Sequence, residues 1–320
     1  MKQILVTRRW PEKIEKELLK LGNVVFNPMD APLSREDLCQ ALLTSDVLCS
    51  TVTDRIDSEM LDASNVKTRL IANFGVGYEN IAVDAAKRVG IAVTNTPGVL
   101  TDATAEIALM LLLMSARRAG EGERQLRMGE WMGWGPTHML STQVTGKKLG
   151  IIGMGRIGKA VASRAHYGLG MKILYAGRTS NASLASEICA EMLPLEEVLK
   201  QSDFVTLHCP STPETYHLID EAAFGLMQPH AHLINTARGN VVNEKALVNA
   251  VESGEIAGAG LDVYENEPEL ASGLRSLEQV VLLPHMGSGT VETREAMGLC
   301  ALRNVEAFVM GQSLINPVTG

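Results

Sequence analysis

The 320-residue sequence offers little from which to build a disulfide framework, a membrane span or a nucleic-acid surface. Its five cysteines, Cys39, Cys49, Cys189, Cys209 and Cys300, are odd in number, scattered and without any C-x-x-C spacing. That excludes a zinc ribbon or redox pair and leaves reduced core thiols. Basic residues do not gather: 29 Lys and Arg against 37 Asp and Glu give a net charge of -8, so no nucleic-acid partner is expected. The longest apolar run, 107–114, is far short of a membrane span, and the first apolar run is too short for a signal peptide. The expectation is a cytoplasmic protein with no membrane contact. H-E-x-x-H and comparable patterns are missing, so no metal is expected, and without a G-x-S-x-G elbow or a Cys-His pair acyl transfer is disfavoured. There is no solenoid repeat and no low-complexity tract.

What is present begins with KLGIIGMGRIG at 148–158. An apolar strand-like run meets Gly153-Met154-Gly155-Arg156-Ile157-Gly158 where the period turns helical, with Ala160, Val161 and Ala165 on one face. Gly153 permits a tight turn, Gly155 lets a pyrophosphate reach the backbone, Gly158 lets helix and strand pack closely, and the helix start favours negative charge. This reads as dinucleotide binding. The acidic residue expected about 20 residues later is missing, because the strand 172–176 ends in Gly177-Arg178-Thr179-Ser180. A guanidinium and two hydroxyls suit a 2'-phosphate, so NADP(H) is expected over NAD(H).

Strand-like runs at 3–6, 23–26, 46–50, 69–73 and 91–94 alternate with helical patterns at 12–21, 36–43 and 81–89, which predicts a parallel sheet covered on both faces. Gly75-Val76-Gly77-Tyr78 follows the fourth strand, where ligand sites gather and two glycines leave backbone N–H groups accessible. A long, almost wholly apolar helix is expected over 103–118, buried inside a domain or between subunits. The segment 120–146, with Trp131 and Trp134, reads as a packed arm. Alternation resumes at 147, with strands at 203–208, 231–235, 256–263 and 280–283, and a final helix over 291–310. The chain therefore reads as α/β, with two doubly wound parallel-sheet domains.

Three polar residues fall at or just beyond strand ends of the second domain: Arg238, Glu267 and His285. A fixed guanidinium can hold a carboxylate or a carbonyl oxygen, and a histidine at the start of a glycine-rich turn suits a general acid/base. Glu267 could hydrogen-bond that imidazole, although E-N-E-P-E reads equally as a solvated loop.

Together NFGVGYENI (73–81), TDATAE (101–106), GIIGMGRIG (150–158), HCPSTPET (208–215), INTARGNVV (234–242), GLDVYENEP (260–268) and PHMGSGT (284–290) resemble the D-isomer-specific 2-hydroxyacid dehydrogenases over essentially the whole length. Within that family YAGRTS and WMGWGPTHMLSTQVTGK look most like glyoxylate/hydroxypyruvate reductases. The resemblance implies a flavodoxin-like substrate domain made of 1–98 plus 286–320 and a Rossmann dinucleotide-binding domain at 99–285, with the active site in the cleft between them. It implies hydride transfer between a nicotinamide and a small 2-keto or 2-hydroxy acid. Arg238 would hold the substrate, His285 would exchange the proton, Glu267 would orient His285, and Val76-Gly77 would bind the carboxylate. Further cofactor contacts carry over to Thr104, Arg156, Ile157, Arg178, Thr179, Cys209, Pro210, Thr215, Thr236, Asp262 and Gly287. The long helix and arm match the family's homodimer interface, and Trp134 matches an arm tryptophan that can reach the partner's site.

The chain departs from many family members by carrying Gly177 where they have Asp, which puts NAD preference in doubt. Two other readings stay open: a reductase of a bulkier 2-keto acid such as phenylpyruvate or 2-ketogluconate, and a non-catalytic NAD(P)-sensing protein resembling a corepressor.

Overall fold

The computed structural model describes residues 1–178 and 186–318, so Thr179 and Ser180 lie outside the described residues. The chain forms two compact units, Met1–Leu100 with Gly289–Gly320, and Thr101–Ser288.

In the first unit β1 (Gln3–Val6), β2 (Asn23–Phe26), β3 (Val47–Cys49), β4 (Leu70–Ala72) and β5 (Ala92–Thr94) form a parallel sheet of order 2-1-3-4-5. That is the flavodoxin-like order. One face packs with the helices Glu12–Leu18 and Val291–Val309, and Ile14, Leu18, Met297, Ala301 and Val305 meet Ile4, Val6, Leu70 and Ala72 there. The other face packs with Arg35–Thr44, Ser58–Leu61 and Val83–Arg88 through Leu38, Leu42, Met60 and Ala86. Both faces of β3 and β4 are buried, which explains why these strands read as continuous apolar runs and not as alternation.

The second unit holds a seven-stranded parallel sheet of β6 (Lys148–Ile152), β7 (Lys172–Ala176), β8 (Glu191–Met192), β9 (Phe204–Leu207), β10 (His232–Asn235), β11 (Gly258–Leu261) and β12 (Val280–Leu282). Its order, β12-β11-β10-β9-β6-β7-β8, reverses direction between β6 and β9. In Rossmann-type sheets ligands gather in the crevice at that reversal, outside the carboxyl ends of the strands. The helix Arg156–Leu169 ends at Gly170 (φ 62°), in the left-handed conformation usual for a C-terminal cap.

The long apolar helix runs Thr101–Ala116 and buries Ala105, Ala108, Leu111 and Leu112 against the second sheet and the helix Arg156–Leu169. The arm differs from the sequence reading. A helix at Ala119–Arg127 buries none of its residues, and of 120–146 only Val144 is buried; Met132 is 97% and Trp134 84% exposed. Polar ties hold it instead: Thr142 N–H donates to the Ala116 carbonyl (3.0 Å) and Arg118 Nη1 to that of Leu140 (3.2 Å). Gly120 and Gly122 weaken the helical signal of this stretch, which explains why its periodicity is not legible. The short helices Ser58–Leu61 and Glu221–Leu226 and the edge strand β8 escape sequence reading for a simpler reason, since so few residues carry no period. No helix among the described residues is long and apolar enough to cross a membrane.

Candidate active site

The glycine turn stands at the β6/β9 reversal. Gly153 has φ 96°, and a Cβ there would sit 2.6 Å from the Cys209 nitrogen and 2.7 Å from the His208 carbonyl carbon. At Gly158 a Cβ would lie 2.3 Å from the Gly153 carbonyl oxygen, so helix and turn touch through bare backbone. Gly155 is different, because nothing lies within 4 Å of its would-be Cβ. As N-cap of the helix Arg156–Leu169 it offers no side chain to the first helical amides. Those amides can take a pyrophosphate, so the turn fits a dinucleotide.

The loop after β9 closes the other side. Thr215 Oγ1 donates to the Pro210 carbonyl (2.7 Å) and accepts from Thr212 N–H (2.8 Å). Burial pushes the Cys209 thiol up to about 11 and His208 down to about 4, so both are uncharged near neutral pH. At the end of β10 the Thr236 hydroxyl is buried and has no hydrogen-bond partner among the described residues, a donor left for a ligand. Arg178 is exposed just past β7. Glu214 is held below the ordinary carboxylate value first by the Thr212 hydroxyl, then by its own backbone N–H, and least by the charge of Arg178.

Arg238, Glu267 and His285 follow β10, β11 and β12 at the same carboxyl edge. Asn235 shapes the turn that presents Arg238: its Nδ2 donates to the Arg238 carbonyl (2.9 Å) and its Oδ1 accepts from Ala237 N–H (3.0 Å). Gly239 then meets the Tyr264 backbone so closely that a Cβ would lie 1.8 Å from the Tyr264 carbonyl carbon. This contact ties the Arg238 turn to the loop bearing Glu267.

His285 Nδ1 lies 2.8 Å from Glu267 Oε2, while Glu267 Oε1 accepts from Tyr264 N–H (3.1 Å). The two side chains are each 34% exposed. Burial would raise the Glu267 carboxyl, but the His285 hydrogen bond and charge, Tyr264 N–H and Arg238 outweigh it and hold the group below its ordinary value. His285 itself has φ 54°, a left-handed conformation that costs a non-glycine residue roughly 1–2 kcal/mol. Asp262 holds it there, with Oδ1 accepting from Met286 N–H (2.6 Å) and Oδ2 from Gly287 N–H (2.7 Å). Thr104 Oγ1 donates to the Gly287 carbonyl (3.0 Å).

Several supports are not legible in the sequence. Tyr264 donates its hydroxyl to the Leu283 carbonyl (2.8 Å), just before His285, and buried Glu244 accepts from Glu265 N–H (2.8 Å) and Ala271 N–H (3.3 Å). A helical Glu shows no spacing that would announce such bracing. Asn235 carries a signal in hindsight, since Asx residues at strand ends favour turns.

In the first unit Asn95 Nδ2 donates to the Val76 carbonyl and Asn73 Nδ2 to the Gly77 carbonyl (2.8 Å each). The Val76 and Gly77 N–H groups have no partner among the described residues. Trp134 is exposed on the arm beside exposed Trp131 and Met132. No group of three or more metal-ligating side chains is found among the described residues.

A Rossmann-type sheet with an open glycine turn at its reversal, and a paired histidine and carboxylate on the same edge, defines a nicotinamide-dependent oxidoreductase. The model of the D-isomer specific 2-hydroxyacid dehydrogenase NAD binding domain matches residues 109–287. A glyoxylate reductase of Thermococcus litoralis is 46% identical over 315 residues, 97% of this chain and 94% of the relative. Among solved structures, a glyoxylate reductase from Paecilomyes thermophila superposes with TM-score 0.87 at 33% identity, covering 99% of this chain and 98% of the other. An NADPH-dependent glyoxylate/hydroxypyruvate reductase from Sinorhizobium meliloti, in complex with NADP and malonate, gives TM-score 0.86 at 32% identity, covering 99% and 97%. The chain belongs to the D-isomer-specific 2-hydroxyacid dehydrogenase family and is similar to its glyoxylate reductases.

The glycines separate folding from binding. Gly155→Ala should leave the unfolding temperature within about 2 °C, because its methyl meets open space, and weaken dinucleotide binding. Gly158→Ala should lower both. Thermal unfolding with a reduced-nicotinamide fluorescence titration distinguishes them, and unchanged binding by Gly155→Ala would count against a pyrophosphate at this turn.

Proposed function

We propose that the protein is an NADP(H)-preferring reductase of small 2-keto acids, glyoxylate and hydroxypyruvate, acting as a homodimer. The observation that carries the chemistry is the His285–Glu267 pair, 2.8 Å apart at the edge that holds the glycine turn. The nicotinamide supplies the hydride when bound. Arg238 takes the substrate carboxylate and its carbonyl oxygen in a two-pronged grip, and the unpartnered amides of Val76 and Gly77 suit a carboxylate. Glu267 accepts from Nδ1 of His285, so Nε2 is the nitrogen that delivers a proton to the substrate oxygen. Glu267 is thus a positioning residue that also stabilises the imidazolium by its charge.

The cofactor contacts follow the same carry-over: Arg156 and Ile157 at the helix start, Arg178 past β7, Thr104, Thr236 and Asp262, Cys209, Pro210 and Thr215 along the facing loop, and Gly287 near the nicotinamide. Preference for NADP(H) rests on Gly177 and Arg178, which put a cation and no carboxylate past β7. Dimerisation rests on the arm, whose exposed Leu126, Met128, Trp131, Met132 and Trp134 form an apolar series rare on a monomer surface. In a dimer Trp134 would reach the partner's site.

Initial rates on glyoxylate and hydroxypyruvate with NADPH and NADH side by side test the reading. Turnover of either acid, faster with NADPH, is the expected result. Arg178→Ala should raise KM for NADPH and leave that for NADH unchanged; an equal rise in both would remove the 2'-phosphate assignment. Bulkier 2-keto acids become the substrates to try if both small acids are inert. Binding of NADPH with no turnover of any 2-keto acid would favour a sensor.

His285→Ala should lower kcat by roughly 10²- to 10⁴-fold, the usual range for a general acid. A loss under about threefold would take His285 out of the mechanism. Sedimentation velocity should return a dimer that Trp131→Glu with Met132→Glu dissociates, and a monomeric wild type would sink the interface.

A further inference from the structure

At the amino ends of the second sheet, opposite the glycine turn, lies a cavity of about 480 Å³ whose wall includes Lys148, Lys172, Lys200, Asp203, Gln228 and His230. Its volume falls within the usual range for small-molecule sites. Lys148 and Lys172 open β6 and β7 and are direct register partners. Partners in adjacent parallel strands stand roughly 4.8 Å apart at the backbone and project to the same face, so the two lysine side chains start from neighbouring positions on one face of the sheet. Neither ammonium has a carboxylate or hydrogen-bond partner among the described residues, whereas Lys200 reaches Glu197 (3.1 Å) and Lys147 reaches Asp203 (3.5 Å).

Asp203 forms no ion pair with either ammonium and meets Lys147 and His230 instead. Its Oδ2 accepts from the Lys148 backbone N–H (2.8 Å) and its Oδ1 lies 2.8 Å from His230 Nε2, so both oxygens already have partners. Gln228 likewise uses its amide to donate to the Lys200 carbonyl (2.6 Å). The result is a cavity with two unpaired like charges on one strand edge and a third lysine beside them. A dianion seated between Lys148 and Lys172 would meet two positive charges without a carboxylate partner, and lysine serves phosphate groups as a point charge.

We propose that this cavity binds a small phosphorylated compound, with its phosphate between Lys148 and Lys172 and its body against Lys200, Gln228 and His230. The site stands apart from the dinucleotide turn, since the same strands β6 and β7 carry the turn and Arg178 at their opposite ends. Nothing in the reduction of a 2-keto acid uses these residues.

The test is calorimetric titration of inorganic pyrophosphate into the protein with and without saturating NADP+. One pyrophosphate should bind the NADP+-loaded protein, with affinity about tenfold or more weaker in the K148Q/K172Q double variant. Affinity should be retained in K148R/K172R, which preserves both charges. Both lysines lie at the surface, and the single variant Lys172→Gln, at an exposed position, serves if the double variant loses its unfolding transition. No heat from the NADP+-loaded protein would overturn the proposal, as would equal affinity in wild type and K148Q/K172Q. Pyrophosphate binding that disappears when NADP+ is added would show that the probe reads the glycine turn alone, and would overturn it too.

Discussion

The edge that bears His285 depends on the Asp262 carboxylate. It is buried, and burial raises its pKa against the two amides and the His285 charge that favour ionisation. In return it accepts two backbone N–H groups from the residues that immediately follow His285. Hydrogen bonds to a charged group contribute roughly 1.5–3 kcal/mol each, enough to hold one non-glycine residue in the left-handed region. Without that grip nothing local favours φ 54° at His285, and the imidazole would leave the line of Glu267. The left-handed conformation is therefore a consequence of tertiary hydrogen bonding, imposed from β11 on the turn after β12.

The rest of the site is built by the same means, with backbone contacts replacing side-chain bulk. Gly153, Gly158 and Gly239 all stand where a Cβ would collide with main chain, so turns from different strands meet at van der Waals distance. Gly155 stands beside them with open space over it. A close-packed turn with a single gap leaves open space over the first amides of the helix Arg156–Leu169. Tyr264 and Glu244 extend this rigidity to the Glu267 loop, so the pair with His285 rests on supported backbone on both sides.

Much of the fold is legible because parallel strands buried on both faces must be apolar throughout, and helices between them carry a 3.6-residue stripe. The runs at 172–176 and 280–283, and the glycine turn, announce themselves in this way. Readings weaken where a segment buries nothing. The 120–146 arm has no internal core, and its Trp131, Met132 and Trp134 look in sequence like packing residues while standing in solvent in the single chain. A large apolar side chain states that burial is favourable without stating which surface provides it.

Residue types and spacing by themselves determined the alternating α/β pattern, the dinucleotide turn, the missing acid before Arg178 and the three polar residues at strand ends. These are properties of periodicity and local backbone preference, which act over a few residues. Only the tertiary structure decided that Glu267 meets His285 across 18 residues, that Asp262 grips the amides after His285, and that Lys148 and Lys172 share one register. Such contacts are set by strand order and pairing, and the sheet brings together residues between which the chain carries no local signal.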